Sequence, residues 1–224
     1  MTLGIPSLFP PRSELVNYDY LDIATGSGMS KFYGFCSAVS GAFTYHLIDS
    51  ALSANIYETH VTNTAGEDTG AYTWTGTTMA LTYDTSIFNI PRTINGNCFV
   101  SIPMACSINS GSGTDSTGYL SNVKLTQVHV GGGTTDLTAA LTSITISEGE
   151  TGPQLINPCF TFALPNISNV IIKQGEKIRL SVTYNDESGD IIAFHNPAGG
   201  SITTRGGTAV NTRLEIHIPF KVPI

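Results

Sequence analysis

Charge is what this sequence has least of. Only 12% of its 224 residues are Asp, Glu, Lys or Arg, about half the roughly 25% usual in globular domains. Thr, Ser, Asn and Gly take their place. Charge keeps a free monomer soluble and guards the edges of its sheets. A surface this poor in charge fits a subunit that lies against neighbours. It also fits a secreted adhesive or sugar-binding sandwich, which shares the same bias. The 10 lysines and arginines are scattered singly, and the net charge is −7. With no basic run and no arginine–aromatic stripe, nucleic acid is not expected as a partner.

Other absences narrow the classes further. No apolar run approaches the roughly 18–20 residues that span a bilayer, so no membrane partner is expected. No basic-then-apolar leader opens the chain, which fits a protein made and assembled in a cytosol. Cys36, Cys98, Cys106 and Cys159 follow no metal spacing and at this length make no disulfide framework. Cys98 and Cys106 sit in apolar runs and read as buried thiols. His46, His60, His129, His195 and His217 fall on separate predicted strands, without an HxH or HExxH pair. His129 and His217 take polar-phase positions and are expected to be exposed. There is no Gly-x-Ser-x-Gly elbow and no P-loop. The expectation is therefore no enzyme, no catalytic residue, no metal and no cofactor, although glycosidase carboxylates carry no short signature. Asp186, Glu187 and Asp190 suit a calcium ion as donors, and equally a solvated hairpin turn.

What the sequence does have is alternation. Ile178, Leu180, Val182 and Tyr184 alternate with Lys177, Arg179, Ser181 and Thr183 after a polar turn, Lys173-Gln174-Gly175-Glu176. Leu214, Ile216, Ile218 and Phe220 alternate again near the end. Period two with β-branched and aromatic residues marks half-buried strands. Asp190–His195, Tyr119–Val130 (closed by Gly131-Gly132-Gly133), Phe43–Ile48, Ile56–Val61 and Leu155–Leu164 read as further strands. Thr25-Gly26-Ser27-Gly28 reads as a turn, and Asn95-Gly96 as a hairpin-type turn. Cys98–Ile108 is a strand that Pro103 should place at an edge or a bulge. Leu137–Ile146 has mixed periods, and Glu148–Gln154 reads as a loop. Some eight to eleven short strands with almost no helical period predict an all-β protein, an antiparallel β-sandwich of jelly-roll type. Residues 1–17, punctuated by Pro6, Pro10 and Pro11, read as an extended N-terminal arm. Residues 18–224 then form a single sandwich domain.

Four stretches together carry a resemblance: LDIATGSGMSKFY (21–33), FNIPRTINGNCFV (88–100), VIIKQGEKIRLSV (170–182), and AFHNPA (193–198) with LEIHIPFKV (214–222). They resemble a group of β-sandwich virion proteins of phages and related environmental viruses that accompany a major capsid protein. Residues 107–165 are not covered, and Asn196 stands where that pattern often has Asp. The resemblance implies a structural virion component, a capsid decoration or minor capsid protein, with the major capsid protein and copies of itself as partners. It transfers no catalytic residue. Leu3, Ile5, Leu8 and Phe9 of the arm are the candidate anchors, and Arg12, Arg92 and Arg205 the candidate ion-pair donors to a partner. Closed cyclic assembly implies a trimer or pentamer. The competing class is a carbohydrate-binding sandwich, such as a receptor-binding spike head or lectin-like module. There Tyr57, Tyr72, Trp74 or Tyr83 would stack on sugar faces.

Overall fold

A computed structural model describes residues 27–39, 42–49, 72–75, 78–107, 116–141, 144–148, 155–156, 159–186, 191–195, 201–203, 209–211 and 213–221. The expected arm, with Leu3, Ile5, Leu8, Phe9 and Arg12, lies outside these residues. So do Arg205, Glu187, Asp190, Tyr57 and the strand expected over Ile56–Val61.

The described chain opens with β1 (Ser27–Val39), β2 (Ala42–Ile48), β3 (Tyr72–Thr75), β4 (Thr78–Thr85), β5 (Arg92–Gly96) and β6 (Phe99–Ser107). Next come β7 (Ser116–Val128), β8 (Thr134–Asp136), β9 (Ile144–Glu148), β10 (Leu155–Ile156), β11 (Cys159–Ala163) and β12 (Ile167–Ile172). The last are β13 (Lys177–Asp186), β14 (Ile191–Phe194), β15 (Ser201–Thr203), β16 (Ala209–Asn211) and β17 (Glu215–Lys221). The protein is all-β, an antiparallel β-sandwich, as its alternation predicts. Fifteen strands join in one curled sheet whose main path runs β3-β14-β6-β17-β1-β2-β4-β13-β7-β8. One pair in it, β2 with β4, is parallel.

The strand count exceeds the expected eight to eleven because bulges and changes of partner cut long runs into pieces. The Leu155–Leu164 run becomes two strands, both laid on β6. Leu137–Ile146 holds a bend, a bridge at Leu141 and the start of β9. Glu148, expected in a loop, ends that strand.

Burial follows the period. Ile178, Leu180, Val182 and Tyr184 are buried, as are Leu214, Ile216, Ile218 and Phe220. They join one core with buried residues of β1, β2, β4, β5, β6, β7, β11, β12 and β14. Each such side chain contributes about 1.5–3 kcal/mol when fully buried. Register is pinned on the polar side too. Arg179 and Asp84 stand directly opposite each other and form a two-pronged pair at 2.6 and 2.8 Å. A one-residue slip would break that pair and turn the apolar set of β13 outward.

Two turn signals resolve differently. Ser27 and Gly28 are not in a turn; they start β1, with Gly28 opposite Phe220. Asn95-Gly96 makes no hairpin either, since β5 and β6 do not pair with each other but both lie along β17. The chain runs on in one direction with a bulge: Phe220 faces Ile94, and His217 faces Phe99. Pro219, which has no N–H for a ladder, sits opposite the extra residues. Gly96 makes the bulge at φ 128°, and a Cβ there would stand 3.2 Å from Pro219 Cγ. Gly96→Ala is expected to lose about 1–3 kcal/mol, read as a lower urea midpoint with an unchanged slope.

Pro103 is at neither an edge nor a bulge. Strand β6 is paired on both sides, and Pro103 marks where its partners change. Before it lie β17 and β11, and beyond it β14 and β10. That makes Pro103 the corner at which one strand passes between two parts of the sheet.

Candidate functional site

An open, partly apolar groove of ≈ 470 Å³ lies on the described surface. Phe32 of β1, Leu47 of β2 and Phe220 of β17 form its floor, and the segment 86–91 between β4 and β5 forms one wall. Ile87 and Ile90 on that wall are 53% and 57% exposed. Connecting segments usually carry polar residues at such positions. Asp49 and Arg92 sit at the rim. Of the arginines read from the sequence as partner contacts, Arg92 is thus brought to the groove, half-buried.

The wall is held from behind. Phe88 donates its N–H to the Glu176 carbonyl at 2.9 Å and accepts from the Gly175 N–H at 2.8 Å. This docks the segment onto the Lys173–Glu176 turn, whose positive φ of 84° falls on Gly175. Glu176 is buried, and its carboxylate is the centre of a network. Oε2 accepts from the Lys173 N–H at 2.6 Å and the Gln127 amide at 2.6 Å, and Oε1 lies 2.7 Å from His129 Nδ1. These hydrogen bonds, the one with His129 foremost, hold the Glu176 carboxyl down at about 2. His129, expected on the exposed phase of its strand, is therefore tied inward to a buried acid. Its other nitrogen lies 2.9 Å from the Thr135 hydroxyl. Sequence reasoning took Lys173–Glu176 for a polar turn and missed this. The available signal was Gln127-x-His129 continuing the phase of Val123 and Leu125, the buried phase of β7.

A second polar group is enclosed in the core. His195, at the end of β14, is 0% exposed, and its Nδ1 lies 3.2 Å from the Tyr83 hydroxyl. The Tyr45 ring stands edge-on to both, with centroids at 5.6 and 5.5 Å. His195 Nε2 has no hydrogen-bond partner. Burial pushes its imidazole down to about 3 and raises the hydroxyls of Tyr83 and Tyr184. Tyr83, considered above as a sugar platform, is fully buried and cannot stack on a ligand. The side chains of Tyr72 and Trp74 lie outside the described residues. His195 is thus closed off from solvent.

The third feature is an edge. Among the described residues β11 pairs only with β6. Its sequence, CFTFA, carries no charge, and Cys159, Thr161 and Ala163 face outward and are exposed. The next outward row holds Phe99, 48% exposed, on β6. Cys159 is a free thiol 3.4 Å from the Ser101 hydroxyl, and Cys98 is free and buried as expected. The side chain of Cys106 lies outside the described residues. By contrast β12, another edge, is kinked by a register shift after Ile167 and capped by the contact of Lys221 with Asn169. Edge β8 carries Asp136, paired to Lys124 at 2.8 and 2.9 Å.

Asp186, the described member of the expected acidic loop, is buried at the end of β13. Among the described residues no group of three or more His, Cys, Asp or Glu could hold a metal ion. His217 lies 3.3 Å from Glu215 on the half-exposed face of β17.

No protein-family model matches the sequence, and no curated protein matches it. Among solved structures, the chain is similar to an α-amino acid ester hydrolase, at 16% identity and TM-score 0.40, over 63% of this chain and 25% of that one. It is similar also to a CocE/NonD family hydrolase of Staphylococcus aureus, at 10% identity and TM-score 0.46, over 88% of this chain and 37% of that one. A third is a carbohydrate-binding module in complex with β-1,4-galactotriose, at 12% identity and TM-score 0.24, over 77% and 79%. The chain thus spans well under half the length of either hydrolase, and at these identities the likeness is one of strand architecture alone.

Proposed function

We propose that this chain is a non-enzymatic structural subunit of a virion, of capsid-decoration or minor-capsid type. Its role is to stabilise the shell through contacts with the major capsid protein and with copies of itself, as a trimer or pentamer. The observation that carries this reading is the edge strand β11, uncharged over its whole length and exposed on its outer face. A free monomer leaves such an edge open to indiscriminate pairing, and natural sandwiches guard theirs with lysine, proline or a bulge. An edge that is covered in its working state needs no guard. The low charge of the chain as a whole is of the same kind. Several weak contacts made at once across a shell joint would add through effective concentration, which suits a neutral, hydrogen-bonding surface.

The test places a guard on the edge. Thr161→Lys adds a charge at an exposed position and touches no core residue. The native chain should co-sediment with purified particles, and the variant should fall at least tenfold in the particle fraction with an unchanged urea midpoint. A native chain that is absent from particles, or a variant retained at the native level, overturns the reading.

A further inference from the structure

The groove bounded by Ile87 and Ile90 is separate from the β11 edge, and its occupant can be argued from where the described chain begins. Gly28 pairs with Phe220, and Ser30 and Phe32, two and four residues further on, line the groove together with Phe220. The described chain begins at Ser27, three residues before Ser30, and 26 residues precede it in the sequence. Their first part carries Leu3, Ile5, Leu8 and Phe9, interrupted by Pro6, Pro10 and Pro11. Proline fixes φ and disfavours helix, so such a segment binds as a narrow extended ribbon. An open groove with an aromatic and aliphatic floor and a wall held by two backbone hydrogen bonds is the complementary shape.

Charge and reach agree. Asp49 at the rim is exposed, and Arg12 follows the apolar run at a distance of three residues. The chain between Phe9 and Ser27 spans up to roughly 60 Å at about 3.3 Å per residue, far more than a return to the adjacent groove needs. Tethering holds the segment at an effective concentration in the millimolar range, so weak apolar contacts suffice to fill the groove. We propose that the groove is the docking site of the chain's own residues 3–12, seated over Phe32, Leu47 and Phe220, with Arg12 facing Asp49. This inference does not depend on the virion reading, because it concerns the chain in isolation.

The test uses the full-length chain with p-benzoylphenylalanine in place of Phe9, irradiated at low concentration and mapped by peptide mass spectrometry. The expected result is a cross-link within one chain to residues 47–49 or 86–92. It should fall at least fivefold on Ile90→Asp, while the circular dichroism spectrum and urea midpoint stay unchanged. Adducts that map elsewhere on the sandwich, a yield unaffected by Ile90→Asp, or no adduct at all would overturn the assignment. Adducts that link two chains only would overturn it too, and would identify a second copy as the occupant.

Discussion

Replacing His195 by phenylalanine is expected to flatten most of the loss of stability that the native protein suffers between pH 6.5 and about 3. Burial holds the folded imidazole down at about 3 against an ordinary value of 6.5. Between those values the unfolded chain binds a proton that the folded chain does not. Stability therefore rises with pH through this window, and is fully present above about 6.5. On acidification the histidine alone takes away up to about 1.4 kcal/mol for each pH unit. Urea midpoints at pH 7, 5 and 4 should fall steeply for the native chain and less for the variant. Tyr83→Phe at pH 7 should cost about 1–3 kcal/mol, since it removes the one hydrogen bond the ring makes. The double variant, Tyr83→Phe with His195→Phe, should cost less than the two single changes summed, because neither polar partner is then left alone. Parallel slopes for the native chain and His195→Phe would show that the imidazole is not held neutral in the core.

Glu176→Ala should be the most damaging single change on the polar side of the sandwich. It leaves the Lys173 N–H, the Gln127 amide and the His129 ring nitrogen without their acceptor, around a carboxylate that is itself buried. Loss of a buried, hydrogen-bonded charge is expected to cost about 3–5 kcal/mol. Glu176→Gln keeps the shape and should cost less. The two variants also differ from the native chain in acid. A carboxyl held at about 2 against an ordinary 4.5 contributes stability that is complete above about 4.5 and is lost as pH falls towards 2. That lower limb should be missing from both variants, whereas the histidine limb above it should remain. Hydrogen exchange gives the local readout: the Phe88 and Gly175 amides, which bind the groove wall to the turn, should exchange faster in Glu176→Ala. Unchanged protection there would mean that the wall stands without the carboxylate.

Much of this architecture is legible in the residues. The alternation of Ile178–Tyr184 and Leu214–Phe220 names the buried faces correctly, because one-sided burial on a pleated strand leaves no other period. The Gly-rich stop after Val130 and the turn at Gly175 are equally local and equally readable. What escapes is whatever depends on a distant partner. Asn95-Gly96 has the chemistry of a hairpin turn, and only Pro219, far along the chain, makes it a bulge in a continuing strand. Pro103 reads as an edge residue until β6 is seen to change partners there. Glu176 is a turn residue by sequence, and its burial is set by Gln127 and His129, 49 and 47 residues earlier. Nothing local marks Ile87 and Ile90 as the wall of a groove, since its floor comes from Phe32, Leu47 and Phe220.

The position of β17 has a consequence for how the molecule comes into being. That strand, the last in chain order, lies between β6 and β1 in the middle of the sheet. Before Lys221 has left the ribosome, the two flanking halves have no strand to join them. The nascent polypeptide must therefore wait, with its apolar faces exposed, until synthesis has passed every residue of the sandwich. Closure then requires pairings across nearly two hundred residues, as between Ser27 and Lys221, and long-range pairing of this kind is slow. Chaperones have their window during that interval.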